Sequence, residues 1–486
     1  MTTSMVVRKF PLAIAATALL LCACKGGESS APGVPLVDRQ PGRTVTQPLA
    51  GPKKIQHVII IIQENRSFNN LFYGFPGAKT VTYGLDSKGE KVTLKPISLA
   101  TTWDVFHSAE AFFMACNATP KIPGKHCLMN GFDKIGWTCG HALQPPCPKG
   151  VKYPPYSYVP HSETAPYFSM AKQYVLADQM YASNFDVSSF VSHQYIIAGQ
   201  ASHTVNYPDN FWGCPGGSTD KAYTVNEQRE VSSAPDRVVC FDNKTLGDEL
   251  DDAKLPWAFY TYPVGTGPDP CDGDMGADSM PATPTYQESN GIWSAYQAIH
   301  HVCYGSDWKK DVITDATQFL TDVPNGKLAT VTWITPTCKN SDHATCDGNT
   351  GPSWVASLVN AVGESKFWST SAIFVFWDDP GLWYDPEPPA YVDYDGLGFR
   401  VPLIIISPYA KKGYVSHTHY EHGSILRFVE DEFDLGRLAP SDKRANSPDD
   451  AFDFNQSPRK FVEIRAPYDK NYFLHQPPDP RPPDTD

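Results

Sequence analysis

Charge is scarce in this chain and skewed to one sign. Only 19% of the 486 residues are Asp, Glu, Lys or Arg, and 53 acidic side chains face 40 basic ones, a formal net charge of -13. Such a surface repels a phosphate backbone, so nucleic acid is not an expected partner. Long apolar runs are missing after the N-terminal segment, so no later stretch is suited to cross a bilayer as a helix. No C-x-x-C pair occurs, which removes a zinc ribbon. There is no internal repeat, which removes a solenoid or propeller. There is also no G-x-S-x-G, so a serine nucleophile on the elbow of an α/β-hydrolase is excluded.

What is present suits a folded, loop-rich protein. Hydrophobic residues make up 41% of the chain, and 44 Pro with 12% aromatics point to ordered irregular loops rather than long helices. Arg8 and Lys9 precede the apolar segment Phe10–Ala23, which is short for a membrane span and has the form of an export signal. It ends Leu21-Cys22-Ala23-Cys24, which resembles a bacterial lipobox and implies cleavage before Cys24 and lipidation of its thiol. An ordinary secretion signal that releases the chain is the alternative. The expected layout is a signal peptide over 1–23, lipidated Cys24 and a flexible Gly/Pro/Ser/Thr tether over 24–51, a globular domain over 52–476, and an extended Pro/Asp tail over 477–486. The expected location is the bacterial cell envelope, periplasmic or surface-exposed, with the membrane engaged through the lipid.

Of 12 cysteines, ten lie beyond Cys24, an even number that suits disulfides in an exported chain. Pairing of sequence neighbours is the simplest scheme: 116–127, 139–147, 214–240, 271–303 and 338–346. Spacing alone does not determine connectivity.

Four apolar, β-branched runs stand out: Val58–Ile62, Ala329–Ile334, Ala372–Trp377 and Val401–Ile406, with Trp257–Tyr262 a weaker fifth. They are continuous rather than alternating, as expected of parallel strands buried on both faces. Helical patterns cover Ala165–Tyr174, Val312–Leu320, Ser353–Val362 and Gly423–Glu432. This alternation predicts an α/β fold, a mostly parallel central sheet flanked by helices. Residues 101–160 and 200–256, rich in Gly, Pro, Cys and aromatics, read as disulfide-pinned lid loops over that sheet.

Polar residues follow three of these strands: Gln63-Glu64-Asn65-Arg66-Ser67, Asp378-Asp379, and the segment leading to Ser341-Asp342-His343. Ligands of open α/β sheets bind beyond the carboxyl ends of the strands, so Glu64, Asn65, Asp378, Asp379 and His343 can converge. Neighbouring carboxylates repel unless a cation lies between them. An all-oxygen set suits a hard divalent ion, and an added histidine a softer one. The same residues also suit a turn cap and a solvated loop. The stretch Asp178–His193 offers several hydroxyls near a histidine, and taken alone reads more readily as a Ser-rich loop.

Longer segments carry a family resemblance. QHVIIIIQENRSFNNLFYGFPGA (56–78), MNGFDKI (129–135), YSYVPHSETAPYFSMAKQYVLADQMYASNF (156–185), GIWSAYQAIHHVCYGSDW (291–308), NSDHATCDGNTGPSWVASLVNAVGESKFW (340–368), FWDDPGLWYD (376–385) and GLGFRVPLIIISPYAKKGYVSHTHYEHGSILRFVEDEF (396–433) resemble, in order, the bacterial phosphoesterase family of acid phosphatases and non-haemolytic phospholipases C. The resemblance implies an alkaline-phosphatase-like α/β fold and one divalent metal ion held by Glu64, Asn65, Asp378, Asp379 and Ser189. It implies Ser189 as nucleophile, and His107, His343 and His301 as phosphate ligands or proton donors. Ser188 and Ser183 are rivals to Ser189, because Val187-Ser188 replaces the Gly-Pro that precedes the family's nucleophile. Other departures are Asn69 for an acid, Phe106 for an acid in Asp104-Val105-Phe106-His107, and Pro386 for a histidine.

The expected activity is therefore metal-dependent hydrolysis of phosphate esters, on small phosphomonoesters through a phosphoserine. A phospholipase C acting on phospholipid and a surface lipoprotein that binds phosphorylated ligands without turnover are the alternatives. Because 24–51 has the composition of a linker, a chain starting at about residue 50 is expected to fold in soluble form without its lipid. An insoluble or unfolded product, judged by gel filtration and circular dichroism, would refute the tether.

Overall fold

The computed structural model describes residues 53–139, 150–208, 213–261, 293–346, 348–477 and 479. The signal, lipobox and tether lie outside the described residues, as does nearly all of the Pro/Asp tail.

The isoleucine run forms the first strand, β1 (His57–Gln63), buried along nearly its whole length. Seven more strands join it: β2 (Val175–Ala177), β3 (Trp257–Tyr260), β4 (Val312–Ile313), β5 (Val331–Ile334), β6 (Ser371–Trp377), β7 (Leu403–Ile406) and β8 (Tyr414–Ser416). They make one sheet in the order β4-β3-β5-β1-β6-β7-β2-β8. From β4 to β6 every pairing is parallel. β7 runs antiparallel to both β6 and β2, and β8 is parallel to β2. The sheet is thus mostly parallel, as the continuous apolar runs predict, with one exception. The connection from Trp377 to Leu403 contains no helix that would carry the chain back to the other end of the sheet, so β7 starts where β6 stops and must return antiparallel.

Helices cover both faces. Phe374 and Phe376 of β6 meet Phe428 and His422 of helix His422–Phe433, with ring centroids 5.0 and 5.5 Å apart. Trp377 meets Tyr167 of helix Ala165–Gln173 at 5.0 Å. Residues of opposite parity on a strand point to opposite faces, so these two helices lie on opposite sides. Helix Gly351–Gly363 packs with the second and helix Ser189–Ala198 with the first.

Two elements differ from expectation. Val312–Leu320 is not one helix: Val312-Ile313 is the edge strand β4, paired with Phe259 and Tyr260, and only then does the chain coil. The β-branched pair favours the pleated edge, and Asp315 caps the turn that follows by accepting from Thr317 N–H at 2.9 Å. The first lid segment packs mostly into a core apart from the sheet, whereas Val239, Phe241 and Leu246 of the second join the sheet core. Trp103, Val105, Phe112, Phe132, Tyr156, Phe185, Trp383 and Phe399 form a second buried cluster apart from the sheet core. Disulfides Cys116–Cys127, Cys214–Cys240 and Cys338–Cys346 match the neighbour pairing. Cys139 and Cys303 are disulfide-bonded too, and their expected partners, Cys147 and Cys271, lie outside the described residues.

One ion pair joins the loop after β6 to the approach to β7. Arg400 Nε and Nη2 donate to Asp385 Oδ1 and Oδ2 at 2.8 and 3.0 Å, and both side chains are fully buried. Asp385 also accepts from Asn69 N–H at 3.1 Å, and Arg400 lies over the Phe68 ring. Asp385→Ala strands a buried guanidinium and should cost about 3–5 kcal/mol. The double change Asp385→Leu with Arg400→Met should cost clearly less. Urea unfolding of both variants checks the order.

Candidate active site

The parallel pairing of β1 with β6 runs from His57 opposite Ser371 to Gln63 opposite Trp377. One step further, this register sets Glu64 beside Asp378. Asp378 N–H extends the ladder to Gln63 C=O at 3.0 Å, and Asn65 N–H donates to Asp378 Oδ1 at 3.0 Å. Asn65 holds a left-handed φ of 53°, which asparagine tolerates better than most residues. Its carbonyl accepts from Trp383 Nε1 at 3.1 Å. Gly381, at φ 53°, crosses this carbonyl so closely that a Cβ would lie 2.4 Å from it, so the Asp378-Asp379-Pro380-Gly381 turn requires glycine there.

Glu64, Asp378 and Asp379 have no exposed surface. Burial, and next Glu64, push the Asp378 carboxyl up to about 8. Burial, and next Asp378, push Asp379 well above the usual carboxylate range. Three such acids in one dry pocket resist ionisation unless positive charge joins them. Asp378 Oδ2 is buried, with His193 Nε2 3.7 Å away. The donor chemistry therefore fits a cation, with Glu64, Asp378, Asp379 and the Asn65 carboxamide able to hold it.

The serines separate cleanly. Ser189 Oγ donates to Asp379 Oδ2 at 2.8 Å and lies 3.4 Å from Asn65 Oδ1. Ser188 Oγ donates instead to Asp186 at 2.6 Å, and Ser183 Oγ to Glu421 at 2.8 Å. Ser189 opens a fully buried helix, Ser189–Ala198, where the Ser-rich composition suggests a loop. Ser188 before an apolar stretch, and Gly199 in the left-handed region after it, are the start and stop signals that mark this helix. Val187 keeps a left-handed φ of 51°, where glycine is preferred, with its side chain fully buried.

His107 and His343 reach the same region, with ring centroids 6.3 Å apart. His107 Nδ1 faces the Val105 carbonyl at 2.9 Å, which sets the proton on that nitrogen, and Nε2 accepts from Asn65 Nδ2 at 2.8 Å. This tautomer is neutral, and a proton on Nε2 requires the Asn65 amide to turn over. Asp104 Oδ2 lies 3.9 Å from His107 Nδ1 and from His343 Nε2. His301 belongs to a different neighbourhood. It is partly exposed on helix His300–Cys303, with its ring nitrogens 2.6 Å from Asp242 and 2.9 Å from Asp248. The hydrogen bond to Asp242 and the charge of Asp248 raise its pKa against the opposing effect of burial. An ion pair, not the phosphate site, accounts for that side chain.

Two participants were missed. His193 Nε2 lies 3.2 Å from Glu64 Oε1 and 3.7 Å from Asp378 Oδ2, forming a buried trio. Asp104 forms a second buried trio with His107 and His343. The spacing of Ser189 and His193, one helical turn, was the available signal, and it becomes usable only once the helix is recognised.

The family model described as "Phosphoesterase family" matches residues 55–436. A "Non-hemolytic phospholipase C" of Burkholderia pseudomallei (strain K96243) is 22% identical over 78% of this chain, which spans 55% of that protein. "Non-specific phospholipase C1" of Arabidopsis thaliana is 23% identical over 85% of this chain and 74% of its own length. A solved structure described as a protein in the alkaline phosphatase superfamily from Vibrio parahaemolyticus has a TM-score of 0.34 at 9% identity, covering 82% of this chain and 72% of that one.

The turn before Ser189 generates a direct test. A left-handed non-glycine residue costs about 1–2 kcal/mol, which Val187→Gly releases while losing the buried side chain. Val187→Ala loses most of that side chain without release. The glycine variant should therefore be at least as stable as the alanine variant, by up to ~1 kcal/mol, the reverse of the order in helices and strands. Thermal and urea unfolding of both variants would show it.

Proposed function

This chain belongs to the phosphoesterase family, and on that footing we propose that it hydrolyses phosphate esters with a divalent metal ion, small phosphomonoesters first among them. The observation that carries the proposal is the contact of Ser189 Oγ with Asp379 Oδ2 at 2.8 Å, beside the buried Glu64 and Asp378 carboxylates. A divalent ion bound by Glu64, Asn65, Asp378 and Asp379 supplies positive charge for the phosphoryl oxygens and lowers the pKa of the serine hydroxyl.

The chain's own groups do the rest. Asp379 Oδ2 already accepts the Ser189 hydrogen bond and is positioned to take that proton. Ser189 Oγ then bonds to phosphorus as the bond from phosphorus to the alcohol oxygen breaks, leaving a phosphoserine. The leaving oxygen takes a proton from His343, or from His107 once the Asn65 amide has turned over, and water afterwards attacks the phosphoserine to release phosphate and restore Ser189. At the N-terminus of its helix, Ser189 also presents an anion to the positive end of the helix dipole.

A second reading is cleavage of phospholipid head groups. Its support is the two relatives named as phospholipases C, together with Phe106, an aromatic 47% exposed next to His107. We further propose export to the cell envelope with a lipid on Cys24. The lipobox-like sequence supports it, and so do the disulfides, which persist in oxidising compartments.

Asp378→Asn and Glu64→Gln should lose bound metal and activity together, since each removes a full charge from the ion's surroundings. Ser189→Ala should keep metal and phosphate yet lose turnover, by more than Ser188→Ala or Ser183→Ala. Elemental analysis alongside phosphate release from a monoester, and phosphocholine release from phosphatidylcholine, tests this and separates the two substrates. Normal turnover in all three serine variants would rule out the phosphoserine. Bound metal with no release from either ester would point to a binding protein.

A further inference from the structure

His193 is not among the residues that the family pattern assigns to the cation, yet it faces them directly. It lies one helical turn after Ser189 on helix Ser189–Ala198, so both side chains project from the same face toward the carboxylates. Its Nε2 is 3.2 Å from Glu64 Oε1, 3.4 Å from Glu64 Oε2 and 3.7 Å from Asp378 Oδ2, and all three side chains are completely buried. One ligand atom from each lies within 4.8 Å of the others. Ligands ~2.0–2.2 Å from one ion sit roughly 3–4 Å from one another, the range of these separations.

We propose that His193 is a nitrogen ligand of the bound cation and makes the site selective for a borderline first-row ion of the zinc, cobalt or iron(II) kind over calcium and magnesium. This rests on the reading of Glu64 and Asp378 as cation ligands. The chemistry follows from the donor atom. Calcium and magnesium are hard ions held by oxygen, and an imidazole in their shell replaces an oxygen with a poorer donor. Zinc and its neighbours take imidazole readily. The competing role for His193 is an imidazolium that neutralises Glu64 without touching the ion. The two roles exclude each other, because Nε2 has one lone pair and uses it either for a proton or for the metal.

The test uses the purified full chain, stripped by chelation and titrated separately with zinc and calcium. In the wild type zinc should bind far more tightly than calcium. His193→Gln should lower zinc affinity by roughly 100-fold or more, beyond the usual loss from an outer-shell partner, and change calcium affinity little. His193→Cys, which supplies a thiolate, should restore the zinc preference. Unchanged or raised affinity for both ions in His193→Gln would overturn the proposal in favour of the imidazolium, and equal loss of zinc and calcium affinity would overturn it in favour of a residue that only positions Glu64. Should that variant not fold, pulsed electron paramagnetic resonance of the wild type loaded with copper(II) decides. Imidazole nitrogen coupled to the ion, persisting in His107→Gln, supports the ligand, and its absence overturns it. Glu64→Gln separates the underlying reading: unchanged zinc and calcium affinity in that variant would show that the carboxylates are not the ligands, whatever His193 does.

Discussion

The molecule is organised around buried carboxylates that cannot separate. β1 and β6 are adjacent, parallel and in register, and each ends in an acid, so Glu64 and Asp378 must meet. Neither reaches water. Burial alone opposes their charge, and proximity opposes it further, which is why the Asp378 carboxyl is pushed up to about 8. Nothing about the strands requires acids at these positions. A sheet of this kind would be more stable with apolar ends, so the repulsion has its use in what it can bind.

Neighbouring elements reinforce that arrangement. Gly381 allows the turn after Asp378 to pass the Asn65 carbonyl, and Trp383 donates to the same carbonyl. Val187 accepts a backbone conformation that suits glycine, and the helix it introduces delivers Ser189 and His193 one turn apart. Strained residues survive where the surrounding packing over-determines them, and both Asn65 and Val187 adjoin the site. The Arg400–Asp385 pair anchors the loop leaving β6. In this chain Asp385 is tied to a guanidinium, and Pro386 stands where the family often carries a histidine.

Around the carboxylates, the histidines divide by location. His107 and His343 share Asp104, and His107 touches Asn65, so these rings respond to the same pocket. His301, similar in sequence context, belongs to Asp242 and Asp248 on a partly exposed helix. A histidine's role here follows from its partners rather than from its neighbours in the chain.

Several features were legible in the residues alone. The runs ending in Ile62, Ile334 and Trp377 could only be buried strands, since continuous β-branched and aromatic residues have no polar face to offer water. The acids after two of them had to lie at one end of the sheet, because parallel strands share their carboxyl ends. The neighbour pairing of the cysteines was the simplest of many schemes, and three pairs follow it. Other features depended on contacts distant in sequence. Whether β7 would run parallel turned on how the chain returns from Trp377, which no local pattern encodes. That Ser189, and neither Ser183 nor Ser188, meets Asp379 some 190 residues away depended on how helix and sheet pack. The arrival of His193 at Glu64, and the departure of His301 to Asp242, were decided by packing of whole elements. Sequence periodicity reports how a segment meets its own neighbours, and these roles were set by which segments meet each other.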